Sequence, residues 1–133
     1  MMTKEFDEWN EVKKSVQQER KIRHFKEREI FYLKMGHNVG FEQNGKGENF
    51  VRPVIILKKF NKSMFYGVPL SSQIKEGLFY YNFSFLRNNQ KNKNIALLSQ
   101  MRLYSANRLL NKIGMISKED FVELKNKLKG LLD

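Results

Sequence analysis

Hydrophobic and polar positions change rhythm along the chain. Over residues 3–28, Phe6, Trp9, Val12 and Val16 recur at helical spacing, and Ile22 and Phe25 extend the stripe less regularly. Thr3 can cap this helix, and Glu5, Asp7 and Glu8 in its first turns suit the positive end of its dipole. From Ile30 the texture shortens to runs of strand length. These are IFYLKM (30–35), VRPVIILKKF (51–60), SMFYGVPL (63–70), LFYYNFSF (78–85), IALLSQMRLY (95–104) and a run from Leu109 to Ile116. β-Branched and aromatic side chains fill them. The segments between are rich in Asn, Lys, Gly and Ser, and RNNQKNKN (87–94) reads as the clearest turn. Helical spacing returns at the end. Ser117 is an N-cap with Asp120 three residues on, followed by the stripe Phe121, Leu124, Leu128 and Leu131.

This pattern predicts an α+β fold. Five or six short strands make a small, strongly bent sheet or barrel, with a C-terminal helix and an extra N-terminal helix. The expected division is a helical extension over residues 1–28 and a barrel domain over 29–133. In the fourth run, alternation puts Phe79, Tyr81, Phe83 and Phe85 on one face, mostly toward the core. Tyr80 is on the other face, where its ring can stack a base.

Composition narrows the picture. A chain of 133 residues with 41% hydrophobic content supports one core. It has no cysteine, which excludes disulfides and Cys-based zinc sites and fits a reducing compartment. The N-terminal MMTKEFDEWNEVKK is charged throughout, unlike a secretory signal. No apolar run approaches the roughly 20 residues that span a bilayer. These features predict a soluble, cytoplasmic protein. The net charge of +11, from 25 Lys and Arg against 14 Asp and Glu, calls for a polyanion or an acidic partner. A surface simply rich in lysine gives the same number, so charge suggests nucleic acid without naming it. The basic segment QQERKIRHFKER is either a solvated helix face or an RNA contact.

The segment GHNVGFEQNGKGENFVRP (36–53) holds four of the eight glycines. A long Gly/Asn loop between strands loses order and usually has a functional role. This one carries Glu42 and Gln43 and leads to Arg52, next to Pro53 at the start of a strand. Proline is tolerated at a strand's first residues or at an edge, so Arg52 is near a rim. There its planar fork suits a phosphate, although an ordinary surface ion pair with Glu42 uses the same residues.

The order of these pieces resembles the MazF/PemK/Kid family of toxin endoribonucleases from bacterial toxin–antitoxin pairs. The family pattern G-x-E-Q-x-G followed by R-P-V-hydrophobic-V is matched in REIFYLKMGHNVGFEQNGKGENFVRPVIIL. Its P-hydrophobic-[ST]-[ST] is matched by VPLSSQ (68–73), and its L-x-Q-hydrophobic-R by LLSQMR (97–102). SKEDFVELKNKL opens the C-terminal helix with an acidic turn, as the family does. Each motif is weak alone; four in the right order cover residues 28–132.

The resemblance implies an SH3-like barrel of the CcdB/MazF type, 29–133 being the MazF/PemK-like domain. It also implies a homodimer, an acidic antitoxin partner, and metal-independent cleavage of single-stranded RNA without a cofactor. The 2′-hydroxyl attacks the adjacent phosphorus, leaving 2′,3′-cyclic phosphate and 5′-hydroxyl ends. By this resemblance Arg52 stabilises the phosphorane, and Ser71 bonds a phosphoryl oxygen or orients the attacking hydroxyl. Glu42 is either the base or a group that holds Arg52. Gln43, Ser72, Gln100, Arg102 and Tyr80 are RNA contacts. Gln100 and Arg102, two apart on one expected strand, share a face. Three departures stand out. Phe41 replaces a His that some relatives place before the Glu-Gln pair. Ser99 replaces an Asp found before the later Gln. The stretch from Gln43 to Arg52 is longer than usual. His24 and His37, the only histidines, match no family position and make a metal site implausible. Two other readings stand: a noncatalytic CcdB-like barrel that binds a protein target such as gyrase, and a plain RNA-binding module.

Overall fold

The run VIIL (54–57) is apolar at consecutive positions because its strand is covered on both faces there. In the computed structural model, which describes residues 24–35 and 50–133, Ile55 and Leu57 enter one hydrophobic cluster while Val54 and Ile56 enter another on the opposite face. The strand is β2 (Val51–Lys59), near the middle of a curled sheet. The other strands among the described residues are β1 (Glu29–Lys34), β3 (Met64–Ser71), β4 (Tyr80–Arg87), β5 (Gln90–Leu97), β6 (Arg102–Ser105) and β7 (Leu109–Met115). Helix α1 (Lys118–Gly130) follows. All pairings are antiparallel, in the order β4-β5-β3-β2-β1-β7, with β6 added to the first half of β3.

The sheet curls until β4, at one end of this order, packs on β7 at the other. Gly114 makes the approach possible. A Cβ there would lie 2.5 Å from the Phe85 ring and 3.1 Å from the Leu86 carbonyl oxygen. The result is a half-barrel whose interior holds Ile30, Ile55, Val68, Leu70, Phe83 and Phe85 and is closed by Phe121 and Leu124 of α1. Burying one such side chain contributes on the order of 2 kcal/mol, so the helix is integral to the core. The opposite face carries Phe25, Phe31, Leu33, Val54, Ile56, Phe65, Tyr104 and Leu109.

Helix α1 begins where the sequence predicts. The Ser117 hydroxyl accepts from the Asp120 amide at 3.0 Å. The Asp120 carboxylate accepts from the Tyr81 hydroxyl at 2.6 Å, which ties the helix to β4. Burial, and then the bond to Asp120, raise the Tyr81 phenol above its ordinary range. Lys127 donates to the carbonyls of Tyr80 (2.7 Å) and Gly77 (3.1 Å), anchoring the last turns to the same strand end.

The structure differs from the sequence expectation at four places. Residues 3–23 of the expected N-terminal helix lie outside the described residues, and its final part, 24–28, forms a non-helical segment and a turn. Phe25 there packs on Phe65, with ring centroids 5.3 Å apart, and Arg28 at φ 81° bonds to both Ile56 and Ile116. These tertiary contacts outweigh continued helical periodicity. Second, RNNQKNKN is not a loop. The turn is Asn88-Asn89 alone, at φ 53° and 64°, the left-handed pair of a tight hairpin that asparagine tolerates. Third, the expected strand 95–104 is broken by a 3-10 turn at Leu98–Gln100, which takes up a register step between the β5 and β6 pairings with β3. Fourth, Phe79 precedes β4 and is half exposed rather than in the core.

Two substitutions test this account. Gly114→Ala should destabilise the fold by about 1–3 kcal/mol through overpacking against Phe85, read as a lower urea midpoint at unchanged slope. Ser117→Ala should cost about 1 kcal/mol by removing the helix cap. An unchanged midpoint in either variant contradicts the packing described.

Candidate functional site

Arg52 and Ser71 come from neighbouring strands. In β2 and β3, Val54 pairs with Pro69. The pairing of the two strands ends at that couple, and Arg52 and Ser71 each lie two residues beyond it, at the same end of the sheet. Both residues line one open cleft of about 400 Å³, together with Ser72, Pro53, Tyr32, Arg87, Asn92, Lys93 and Asn94.

The cleft exists because β3 stops before its neighbour does. Its pairing with β5 ends at Ser71 opposite Ile95, whereas β5 pairs with β4 back to Gln90. Residues 90–94 therefore form one arm of a two-stranded ribbon that overhangs the sheet. The gap between this ribbon and the start of β2 is the cleft.

Among the described residues its lining carries three cations, Arg52, Arg87 and Lys93, and no carboxylate. Both arginines lie over aromatic rings. The Arg52 guanidinium is 5.2 Å from the Phe50 ring centroid, and that of Arg87 is 5.0 Å from that of Tyr32. Such contacts hold a guanidinium while leaving its N–H edge open. Among the described residues the one ion pair is Lys112 with Glu29, outside the cleft lining.

A second cleft, of about 470 Å³, is lined by Met35, Ser63, Met64, Arg102, Leu103, Tyr104, Ser105 and Arg108. Arg108 is held by the carbonyls of Lys34 (3.3 Å) and Met35 (2.9 Å). The Tyr104 hydroxyl is buried and has no partner among the described residues. Burial raises its pKa, and the positive charges of Arg102, Arg52 and Arg108 oppose that rise. Arg52 thus belongs to both neighbourhoods: it lines the first cleft, and its charge reaches the floor of the second.

The other residues singled out from the sequence fall as follows. Ser72 lines the first cleft beside Ser71, whose hydroxyl accepts from the Gln73 amide at 3.1 Å. Arg102 lines the second cleft. Gln100 is exposed in the 3-10 turn and lines neither cleft; the break at 98–100 also removes the simple alternation expected to put it on the Arg102 face. Tyr80 lies at the start of β4, seven residues from Arg87, or roughly 23 Å of strand. Glu42, Gln43 and His37 lie outside the described residues. Arg87, Asn92, Lys93 and Asn94 escape sequence reasoning, because their segment reads as a turn. The available signal is the Asn-Asn pair, a two-residue hairpin turn flanked by positions able to pair. Among the described residues, no three His, Asp or Glu side chains cluster as a metal site would require, and no helix is long and apolar enough to cross a membrane.

Comparison with known proteins follows the same outline. Curated protein sequences give no match. Among solved structures, the toxin MazF-mt6 of Mycobacterium tuberculosis is similar at a TM-score of 0.59 and 12% identity, covering 80% of this chain and 97% of that one. MazF from Deinococcus radiodurans is similar at a TM-score of 0.60 and 16% identity, covering 83% and 97%. At such identities these likenesses establish the fold: a curled antiparallel half-barrel with a C-terminal helix. The family described as PemK-like, MazF-like toxin of type II toxin-antitoxin system matches over residues 26–132. With the match spanning most of its length, the chain belongs to the PemK-like, MazF-like toxins of type II toxin–antitoxin systems.

Proposed function

We propose that this toxin is a metal-independent endoribonuclease that cuts single-stranded RNA at the cleft between β2, β3 and the β4–β5 hairpin. The observation that carries this reading is that Arg52 and Ser71, from the neighbouring strands β2 and β3, line one cleft whose described lining contains three cations and no carboxylate. Family membership supports an antitoxin partner. The surplus of 25 basic over 14 acidic residues suits an acidic one that competes with RNA for the same cleft. A homodimer and a cytoplasmic setting complete the proposal, with residues 1–28 an extension to the catalytic domain.

In this mechanism the ribose 2′-oxygen attacks the adjacent phosphorus, and its proton passes to a base. The P–O5′ bond breaks, the 5′-oxygen takes up a proton, and the products are a 2′,3′-cyclic phosphate and a 5′-hydroxyl. Nothing covalent is asked of the protein. It must align attack and departure and stabilise negative charge on the phosphoryl oxygens. Arg52 provides the charge stabilisation, because a guanidinium keeps its protons in water and is a better electrostatic clamp than an acid. Ser71 donates to a phosphoryl oxygen or orients the 2′-hydroxyl. It is not a nucleophile, since neither described strand sets a histidine beside it. Glu42 is assigned to accept the 2′-proton or hold Arg52. Ser72 and Gln43 are assigned to RNA contacts near the reacting phosphate. Arg102, Gln100 and Tyr80 are assigned to more distant contacts.

Incubation with long single-stranded RNA in EDTA should give discrete cuts, and the fragments should carry cyclic phosphate and 5′-hydroxyl ends. Arg52→Ala should lower kcat by about a thousandfold, the scale of losing a main charge-stabilising group, with an unchanged melting temperature. Ser71→Ala should lower it by ten- to a hundredfold. Full dependence on a divalent ion, or undiminished cutting by Arg52→Ala, refutes the proposal.

A further inference from the structure

Arg87 and Lys93 lie on the two arms of the β4–β5 hairpin, and both line the cleft that contains Arg52 and Ser71. Neither belongs to the motifs that mark the chain's family, and the reaction proposed above does not use them. Their setting is nevertheless built. Arg87 is the last residue of β4, immediately before the tight Asn88-Asn89 turn. Its guanidinium lies over Tyr32, a half-buried side chain of β1 on the far wall of the cleft. The hairpin and the sheet therefore touch through a cation–π contact, while the N–H edge of the guanidinium has no carboxylate partner among the described residues. Arg52 repeats the arrangement on Phe50. Two ring-backed guanidiniums thus bound one space of about 400 Å³, well beyond the needs of a single phosphate group.

Position separates their roles. Arg52 and Ser71 reach the cleft from adjoining strand ends, a cation and a hydroxyl available to one anion. Arg87 and Lys93 stand on the overhanging ribbon, which extends past the last residue of β3. Their chemistry is recognition of charge without a reacting partner. A single RNA strand supplies a second anion at a fixed interval from the first, because every nucleotide carries a phosphate. Resting on the nuclease reading above, we propose that the hairpin is a second phosphate clamp. Arg87, steadied by Tyr32, and Lys93 grip backbone phosphates near the one being cut. The two side chains leave opposite faces of the ribbon, so each holds a phosphate of its own along the strand; they position the RNA and do not take part in bond cleavage. Asn92 and Asn94, on the same ribbon and in the same cleft, supply amide donors and acceptors beside that grip.

The test uses the full-length protein and the double variant Arg87→Gln with Lys93→Gln. A single-stranded RNA methylated at every 2′-hydroxyl serves as the uncleavable ligand, and its unmodified counterpart as the substrate. Each lost phosphate contact should make the slope of log affinity against log salt shallower by about 0.7, so the double variant should lose about 1.4. KM for the unmodified RNA should rise about tenfold while kcat at saturation stays within about twofold. Arg87→Lys should restore most of the salt slope, since it keeps the charge. An equal melting temperature shows that the hairpin is intact. If it falls, the single variant Lys93→Gln, which leaves the Arg87–Tyr32 contact in place, carries the test, with an expected slope change of about 0.7.

The outcomes separate the two readings. RNA cutting that needs Arg52 but is indifferent to both hairpin substitutions, with an unchanged slope, overturns the clamp and leaves the nuclease standing. Binding without cutting by the unmodified protein refutes the nuclease, while the slope still decides the clamp. A normal slope with lost affinity for a poly-glutamate peptide assigns the hairpin to an acidic protein partner and overturns the proposal. A fall in kcat at unchanged KM does so as well, since it places the pair in the chemical step.

Discussion

The register between β2 and β3 is the constraint on which the site depends. Val54 opposite Pro69 brings Arg52 and Ser71, each two residues further on, to the same end of the sheet and into one cleft. A slip of one residue would send every side chain of one strand to the other face and separate the pair. Gly67 helps fix the register. A Cβ there would lie 2.5 Å from Val54 and 2.9 Å from the Phe65 ring, so the Val54 methyl occupies the space that a side chain on β3 would need. Shifting either strand would drive a larger residue against that valine. The chemistry at the strand ends is thereby specified several residues away, by a packing contact that carries no charge.

The electrostatics around the clefts do not serve stability. Arg52, Arg87 and Lys93 line one cleft with no acid among its described residues, and Arg102 and Arg108 line the other beside a buried phenol with no described partner. Like charges brought together repel, and no described carboxylate offsets them. What holds them is weaker and local: rings beneath Arg52 and Arg87, and two carbonyls around Arg108. This is an arrangement in which a bound polyanion lowers the free energy of the folded state rather than one optimised in its absence.

Most of the frame was legible in the sequence, and the parts that were not have definite causes. Strand runs, the Ser117 cap and the helical stripe stood out because each side chain reports its own burial. The register did not, since no single strand encodes its partner; only motif order brought Arg52 and Ser71 together. The hairpin was hidden for a further reason. Residues 90–94 pair with β4 on one side alone and stay largely exposed, so Gln, Lys and Asn there look like a loop although their backbone is a strand. Gln100 was lost to a different effect: a 3-10 turn absorbs a register step between two pairings with β3, and alternation cannot be carried through it.

Polarity, chain length and position converge on one end of the half-barrel. The central strand β2 is apolar on both faces along its middle, so its one arginine sits near the strand's start. Arg52 is second in β2, Ser71 last in β3 and Arg87 last in β4, and the antiparallel order brings all three to the same end. The opposite end of β4 is given over to anchoring: Tyr81 bonds Asp120, and Lys127 bonds the Tyr80 carbonyl. Separation of this kind lets the anchoring end tolerate little change and the open end tolerate much. A sheet so divided can change the exposed side chains of its overhanging ribbon without repacking its core, because residues 90–94 pair on one side alone and lie beyond the buried part of β5.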